Sequence, residues 1–335
     1  MKKRCLITAL FIALLVVGCG SKEAEVKNFH TTLQQQYLDD NYLNYAKYAD
    51  GTEEKSRPQP INIEVKKATS IKLSLNEDLS DAKEYAVTDG KAEIYNLYSD
   101  TTYYYQVDKK VQSFKTAPGV RNLYIDGVTN VRDIGAYKTA DGKSLKQGLL
   151  YRSAKFNADE STTAVITDNG LNTIHELGIK TEIDLRRTDN NENGGITSSP
   201  LGSSVTYYSQ PMQSSGNIMT LNKDNLPAVF AILGNADNYP LVFHCSIGTD
   251  RTGYIAFLIE ALCGLSEEDL YRDYLFSNFG LIYSIRTFSD VSNYLKGLRT
   301  SEGSDNSTKA YNYLVSCGVA STDLDNIKTL LINQN

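Results

Sequence analysis

One stretch, Tyr239 to Gly264, "YPLVFHCSIGTDRTGYIAFLIEALCG", constrains the fold of this chain more than any other. A run of buried-strand residues stops at His244 and Cys245, a short loop carrying Gly248 follows, and apolar residues then recur at helical spacing up to Gly264. The alternation occurs elsewhere too. "LNTIHELG" has helical periodicity with a glycine stop and leads into "IKTEIDLR", a strand that turns Ile183 and Leu185 inward, and "LPAVFAILGNADNYPLVFHC" repeats helix then strand. Strands alternating with helices predict an α/β domain, a mainly parallel sheet covered by helices on both faces. Ligands bind such sheets at the carboxyl ends of the strands. Both "IDLRR" and "HCSIGTDR" lie at such ends, so two polar clusters share one edge.

The N-terminus is built differently. "MKKR" precedes the apolar "CLITALFIALLVVG", which is short for a membrane span of ~20 residues. Small residues then lead to Cys19. The pattern resembles the bacterial lipoprotein signal, which implies removal of residues 1–18, a lipid on Cys19 and an extracytoplasmic, membrane-anchored chain; an uncleaved anchor helix is the alternative. Loss of Lys2, Lys3 and Arg4 takes the formal charge from −6 to −9. An acidic chain of this kind is not a nucleic-acid binder, and its lipid rather than its charge would hold it to a membrane. With Cys5 and Cys19 assigned to the signal, Cys245, Cys263 and Cys317 remain, too few and too scattered for a disulfide framework. Cys263 and Cys317 read as small core residues.

At 335 residues the chain has room for about two domains. Residues 19–60 are polar and read as a tether, with "TTLQQQYLDDNYLNYAKYA" able to form a helix within it. Residues 61–118 carry short alternating runs such as "INIEVKKA" and "TTYYYQV", separated by turns, as in a small β-sandwich. Leu97, Thr101, Tyr103 and Val107 have the spacing found at the tyrosine corner of fibronectin type III modules, a resemblance that implies a spacer. Residues 119–335 form the α/β domain.

Why place a cysteine and an arginine at the two ends of a glycine-containing loop? A loop between a strand and a helix N-terminus can turn successive backbone N–H groups inward as an anion nest, here from Ser246, Ile247, Gly248 and Thr249. Arg251 can fold its planar guanidinium over that nest and grip two oxygens of a tetrahedral dianion. The same positive field favours the thiolate of Cys245, placed for in-line attack on a bound phosphoryl group. The hydroxyl of Thr252 can donate to the departing sulfur.

"HCSIGTDRTG" resembles the signature of the cysteine-dependent tyrosine phosphatases: His-Cys, five residues, Arg, then Ser or Thr. It looks most like bacterial tyrosine/dual-specificity and phosphoinositide phosphatases that include lipoprotein and secreted members. "NVRDIGAY", "LLYRSA", "LGIKTEIDLR" and "GLSEEDLYRDYLFSN" match further marks of that family in order, from about Val120 to Asn335. The resemblance implies hydrolysis of phosphate monoesters through a phosphocysteine without metal or cofactor. Its substrates would be phosphotyrosine-containing proteins or, alternatively, phosphorylated small molecules or lipids. It also implies that Asp250, just before the arginine, is the general acid; a loop-stabilising carboxylate is the alternative. Where lipid-active members carry Lys, this chain has Thr249, which favours phosphotyrosine over polyanionic phosphoinositides.

Other residues stay open at this point. His244 is either a base or a prop for the loop. Arg132 and Asp133 are either a buried pair or substrate contacts, and Arg152, Asp184 and Arg186 are candidates for the rim of the site or the layer behind it. A sulfurtransferase would also use a loop cysteine, though it needs no Arg-Thr pair, and a surface-binding protein would leave Cys245, Asp250 and Arg251 without work.

Overall fold

A computed structural model describes residues 25–158 and 165–333, so Cys19 and the signal-like segment lie outside the described residues. The N-terminal module is a sandwich of two sheets. The larger has the order β1 (Glu25–Lys27), β7 (Lys110–Thr116), β6 (Thr102–Val107), β3 (Ser70–Ser74), β4 (Lys83–Ala86); the smaller pairs β2 (Ile61–Glu64) with β5 (Lys91–Ile94). Alternating Ile61, Ile63, Ile71, Leu73, Ile94 and Phe114 fill the space between them. The Tyr103 hydroxyl accepts a hydrogen bond from the backbone N–H of Tyr98 at 2.8 Å, closing the corner five residues upstream. The edge strand β1 comes from outside residues 61–118 and runs parallel to β7.

The expectation of a tether over residues 19–60 does not hold for its described part. After β1, helix α1 (Thr32–Asp39) starts with a full capping box, Thr31 against Gln34. Its Tyr37 is buried against Phe276 and Phe279 of the second domain and donates its hydroxyl to Arg272 O at 3.0 Å. Gln34 ties Lys55 O and Arg57 O to the same place. A sequence rich in Gln, Asn and Tyr reads as solvated because its polar groups have no visible partners. Here they have buried ones.

The second domain is mixed α/β. Its sheet has the order β11 (Thr206–Ser209), β10 (Thr181–Asp184), β12 (Leu241–His244), β9 (Leu150–Ser153), β8 (Arg132–Asp133), parallel except for the short edge strand β8. Leu241 and Phe243 face one core with Leu150, Ile183 and the helices α4 (Leu226–Leu233) and α5 (Asp250–Cys263), while Val242 and Tyr151 face the other with Ile174 of α2 (Asp168–Glu176). Burial on both faces explains why β12 reads as a continuous apolar run from Leu241 to Phe243. Around α5 lie α6 (Glu267–Phe276), α7 (Phe288–Leu298), α8 (Asn306–Ser316) and α9 (Ser321–Leu331), and the short α3 (Ile218–Asn222) touches it near its start. Every residue of α5 from Arg251 to Cys263 is buried, so it is the central helix of the domain, and it ends at Gly264 in the left-handed conformation. Burial pushes the Cys263 thiol up to about 12, and Cys317 is half-buried; both are free thiols.

A charged knot lies inside this domain. Asp273 of α6 accepts from Arg132 Nε at 2.7 Å and from Arg152 Nη1, while Arg132 Nη2 also reaches Ser277 Oγ at 3.0 Å. All three charged side chains are almost completely buried. Burial opposes the charge on Asp273, but Arg132 and Arg152 override it and hold the carboxyl well below its usual range. Glu260 of α5 also interacts with the Asp273 carboxyl. Burial, and then the charge of Asp273, push the Glu260 carboxyl well above the ordinary range, which favours its neutral form. A raised folded-state pKa contributes stability that is complete below the unfolded value of ~4.3 and lost as pH rises through the folded value. Glu260→Gln keeps a neutral donor that cannot ionise. Thermal melts from about pH 5 to about pH 9 should therefore show the wild-type midpoint falling more steeply with pH than that of the variant. Parallel curves would show that Glu260 does not carry the proton.

Candidate active site

Cys245 follows β12 directly, and the loop to Thr249 delivers the chain into α5. The loop's path is set by what holds its carbonyls. His244 Nδ1 faces Cys245 O at 3.2 Å, the Lys155 N–H donates to Ser246 O at 3.3 Å, Asn130 Nδ2 to Ile247 O at 3.0 Å, and Arg152 Nη2 to Gly248 O at 3.0 Å. Four consecutive carbonyls are thus tied to groups outside the loop. None of the amides from Ser246 to Thr249 donates to an acceptor among the described residues. With the carbonyls turned out, those N–H groups turn in, which is the anion nest. Gly248 has φ +71°, and a Cβ there would lie 2.5 Å from Ser153 O, so no other residue fits.

Cys245 is buried at 1% exposure and free. Arg251, in the first turn of α5, bends back along the loop. Its Nη1 donates to Leu185 O at 3.2 Å, to Met212 O at 3.4 Å and to Glu192 Oε2 at 2.9 Å, and its Nη2 donates to Glu192 Oε1. No acceptor among the described residues takes its Nε–H. One edge of the guanidinium, Nε with the remaining Nη2 hydrogen, is left for two oxygens of a tetrahedral anion. Burial opposes the charge of Arg251, but Cys245 and then Glu192 raise its pKa, so the guanidinium is electrostatically engaged with the sulfur. The Thr252 hydroxyl is buried and makes no hydrogen bond among the described residues, an unused donor in the turn that follows Arg251.

The remaining candidates separate into groups. His244 is buried with Nε2 2.9 Å from Glu182 Oε1, so both ring nitrogens are engaged and neither faces a substrate. Arg152 braces the loop directly. Arg132 acts one step further back, through Nη1 to Asn130 Oδ1 at 2.8 Å. Thr249 is buried and shares Asn130 and Ile247 O, so its side chain belongs to the loop's scaffold. Asp133 is not brought to the site: it pairs with Arg121 at 2.6 Å and accepts from the backbone of Gly135 and Gly148. Asp184 is bound to Arg186 through both oxygens and accepts from the Tyr207 hydroxyl, which makes a buried structural pair of Asp184 and Arg186. Asp250 lies in the first turn of α5, and Arg286 holds both its oxygens at 2.7 and 2.8 Å.

Three residues matter here that motif reading does not single out. Asn130 lies inside "NVRDIGAY", where its role has no sequence signal beyond a left-handed φ of 54° seen only in the fold. Glu192 and Arg286 come from loops 59 residues before and 35 after Arg251, where nothing but charge marks them. Glu192 also accepts from Ser246 Oγ at 2.7 Å. Burial works against its charge, and the hydrogen bond and charge of Arg251 overcome it, holding its carboxyl below the usual value. Its effect is to fix the outer end of the guanidinium so that the Nε edge faces inward. Glu192→Gln should lower kcat/KM for nitrophenyl phosphate by about 10-fold, the scale of one charge-assisted hydrogen bond. Unchanged kinetics would mean that the loop alone orients Arg251.

Comparison with known proteins follows the same site. A putative tyrosine-protein phosphatase of Cupriavidus necator is 25% identical over 185 residues, 48% of this chain, and the chain spans 64% of that relative's length. Among solved structures, the crystal structure of P. aeruginosa TpbA is 21% identical, covering 49% of this chain and 84% of its own, with a TM-score of 0.33. The core catalytic domain of the PP-IP phosphatase SIW14 from S. cerevisiae is 19% identical, covering 44% and 81%, with a TM-score of 0.31. The tyrosine phosphatase family model matches residues 123–332, well over half of the chain and the whole Cys245 loop with it. The chain belongs to the tyrosine phosphatase family.

Proposed function

We propose that this protein hydrolyses phosphate monoesters, protein phosphotyrosine foremost, through a phosphocysteine. The observation that carries the reading is the nest itself: four outward-tied carbonyls and one unused guanidinium edge surrounding a buried cysteine. A phosphoryl dianion in the nest accepts the loop N–H groups and the Arg251 edge. The Cys245 thiolate attacks phosphorus, the ester P–O bond breaks, and the leaving oxygen takes a proton from the general acid, for which Asp250 is the candidate. Water then attacks phosphorus and gives a proton to the Asp250 carboxylate left by the first step, the S–P bond breaks, and Thr252 donates a hydrogen bond to the sulfur as it leaves. Nothing in this sequence calls for a metal. The charged side chains lining the groove beside Asp250 are Lys223, Lys296, Asp250 and Asp290, a balance that suits a substrate with few charges better than a polyanion.

Cys245→Ser keeps the nest but replaces a thiolate by a hydroxyl that is not ionised at neutral pH. Turnover should fall by roughly 10⁴-fold or more, while vanadate binding, measured by calorimetry, persists. Substantial metal-free turnover by the variant would overturn the mechanism. A panel of phosphotyrosine peptides and inositol phosphates assayed with the wild type decides between the two substrate classes.

We also propose that Cys19 carries lipid and places the enzyme outside the cytoplasm on a bacterial membrane. Expressed in a bacterium, the full chain should partition into detergent, and Cys19→Ala should remain unprocessed. An unlipidated mature chain starting well beyond Cys19, seen by mass spectrometry, would sink the anchor.

A further inference from the structure

The pose of Asp250 conflicts with its expected work. Arg286 donates Nε to Oδ1 at 2.7 Å and Nη2 to Oδ2 at 2.8 Å, and the Tyr274 hydroxyl stands 3.5 Å from Oδ1. Both oxygens are accepting, so in this pose the side chain has no proton to give. The clasp is firmly built: Asn278 holds the backbone N–H and C=O of Arg286 at 2.7 and 2.9 Å, and Ser284 takes its Nη1 at 2.9 Å. It is also within reach of solvent, since the two side chains are 18% and 24% exposed.

Two features beside the clasp point to what opens it. Asp250 stands in the wall of a groove of about 730 Å³ with Met219, Tyr274, Tyr294 and Tyr313. The chain beyond Met212, whose carbonyl accepts from the Arg251 guanidinium, runs through Gly216 and Asn217 to form another part of that wall. On the chain that carries Arg286, Tyr283 (61% exposed), Ile285 and Phe288 are exposed apolar side chains. A cation set among exposed apolar groups matches an extended peptide bearing a carboxylate. A small polyanion would leave those groups uncovered and would meet Asp290 in the groove.

We infer that Arg286 is the specificity-determining residue of this phosphatase, selecting phosphotyrosine peptides with an acidic residue next to the phosphotyrosine. The inference rests on the phosphatase reading above. The peptide carboxylate takes the place of Asp250 on the guanidinium. The released Asp250 takes a proton from solvent hydronium, which leaves as water, and passes it to the phenolic oxygen as the P–O bond breaks. A substrate without the second anion leaves Asp250 clasped, and its phenolate departs unaided.

The test compares one phosphotyrosine peptide flanked by glutamates with the same peptide flanked by alanines. The wild type should favour the acidic peptide by about 10-fold or more in kcat/KM, and Asp250→Asn should slow the acidic peptide by roughly 10²-fold. Arg286→Gln should bring the ratio close to one, with KM rising for the acidic peptide and kcat rising for the neutral one. Arg286→Lys should restore part of the preference. An Arg286→Gln enzyme with the wild-type ratio, or one that slows both peptides equally, overturns the inference, as does preference for an inositol polyphosphate over both peptides. Turnover of nitrophenyl phosphate that disappears in Cys245→Ser reports on the parent reading separately. If that turnover is present and the peptide ratio is flat, only the role of Arg286 falls.

Discussion

Asp273 is the carboxylate on which the loop geometry depends. It sits on α6, yet it holds Arg132 of β8 and Arg152 of β9 at once, and those two arginines set the Cys245 loop, one by gripping Gly248 O and the other through Asn130. Breaking a buried pair by removing one partner costs about 3–5 kcal/mol. Here a single deletion would leave two guanidiniums buried without their main counter-charge. Neutral Glu260 completes the arrangement from α5, the same helix that carries Arg251. Sheet edge, central helix and neighbouring helix therefore meet at one charged point, and a shift of any of them reaches the nest.

Much of the α/β domain could be read directly because its signals are local. A strand buried on both faces, a glycine that must turn and a central helix each leave a pattern within about 20 residues. The nucleophile and its arginine share one loop, so their spacing carries their geometry. Glu192 and Arg286 leave no such pattern. Each acts by meeting a group on a distant segment, and an isolated charge in a polar loop looks the same whether it is solvated or engaged. Asp133 shows the opposite error: adjacent to Arg132 in the chain, it points the other way along β8 and pairs with Arg121. Alternation along a strand separates neighbours that a motif lists together.

The stretch from Asn28 to Pro60 joins the two domains through hydrogen bonds that a composition argument cannot foresee. Ser56 is one of its buried residues. Its hydroxyl accepts the Asn130 N–H at 3.0 Å, and its carbonyl accepts from Asn122 at 2.8 Å. Asn130 in turn holds Ile247 O, so one of the four loop carbonyls is braced by a residue nearly two hundred positions upstream. His30 adds a bond to Val120 O at 2.7 Å. A segment whose composition reads as a tether is part of what shapes the anion site.

That strand β1 begins at Glu25 has a geometric consequence for an enzyme anchored at Cys19. The two positions are six apart in the sequence, and a fully extended chain covers at most about 20 Å over that length. The anchor would reach the first folded strand almost at once, with no slack beyond it, since β1 is hydrogen-bonded into the sheet and the next 30 residues are packed. Were Cys19 lipidated as proposed, the enzyme would work in a thin shell: its substrates would be those that come to the surface, and its range would be set by lateral diffusion of the lipid.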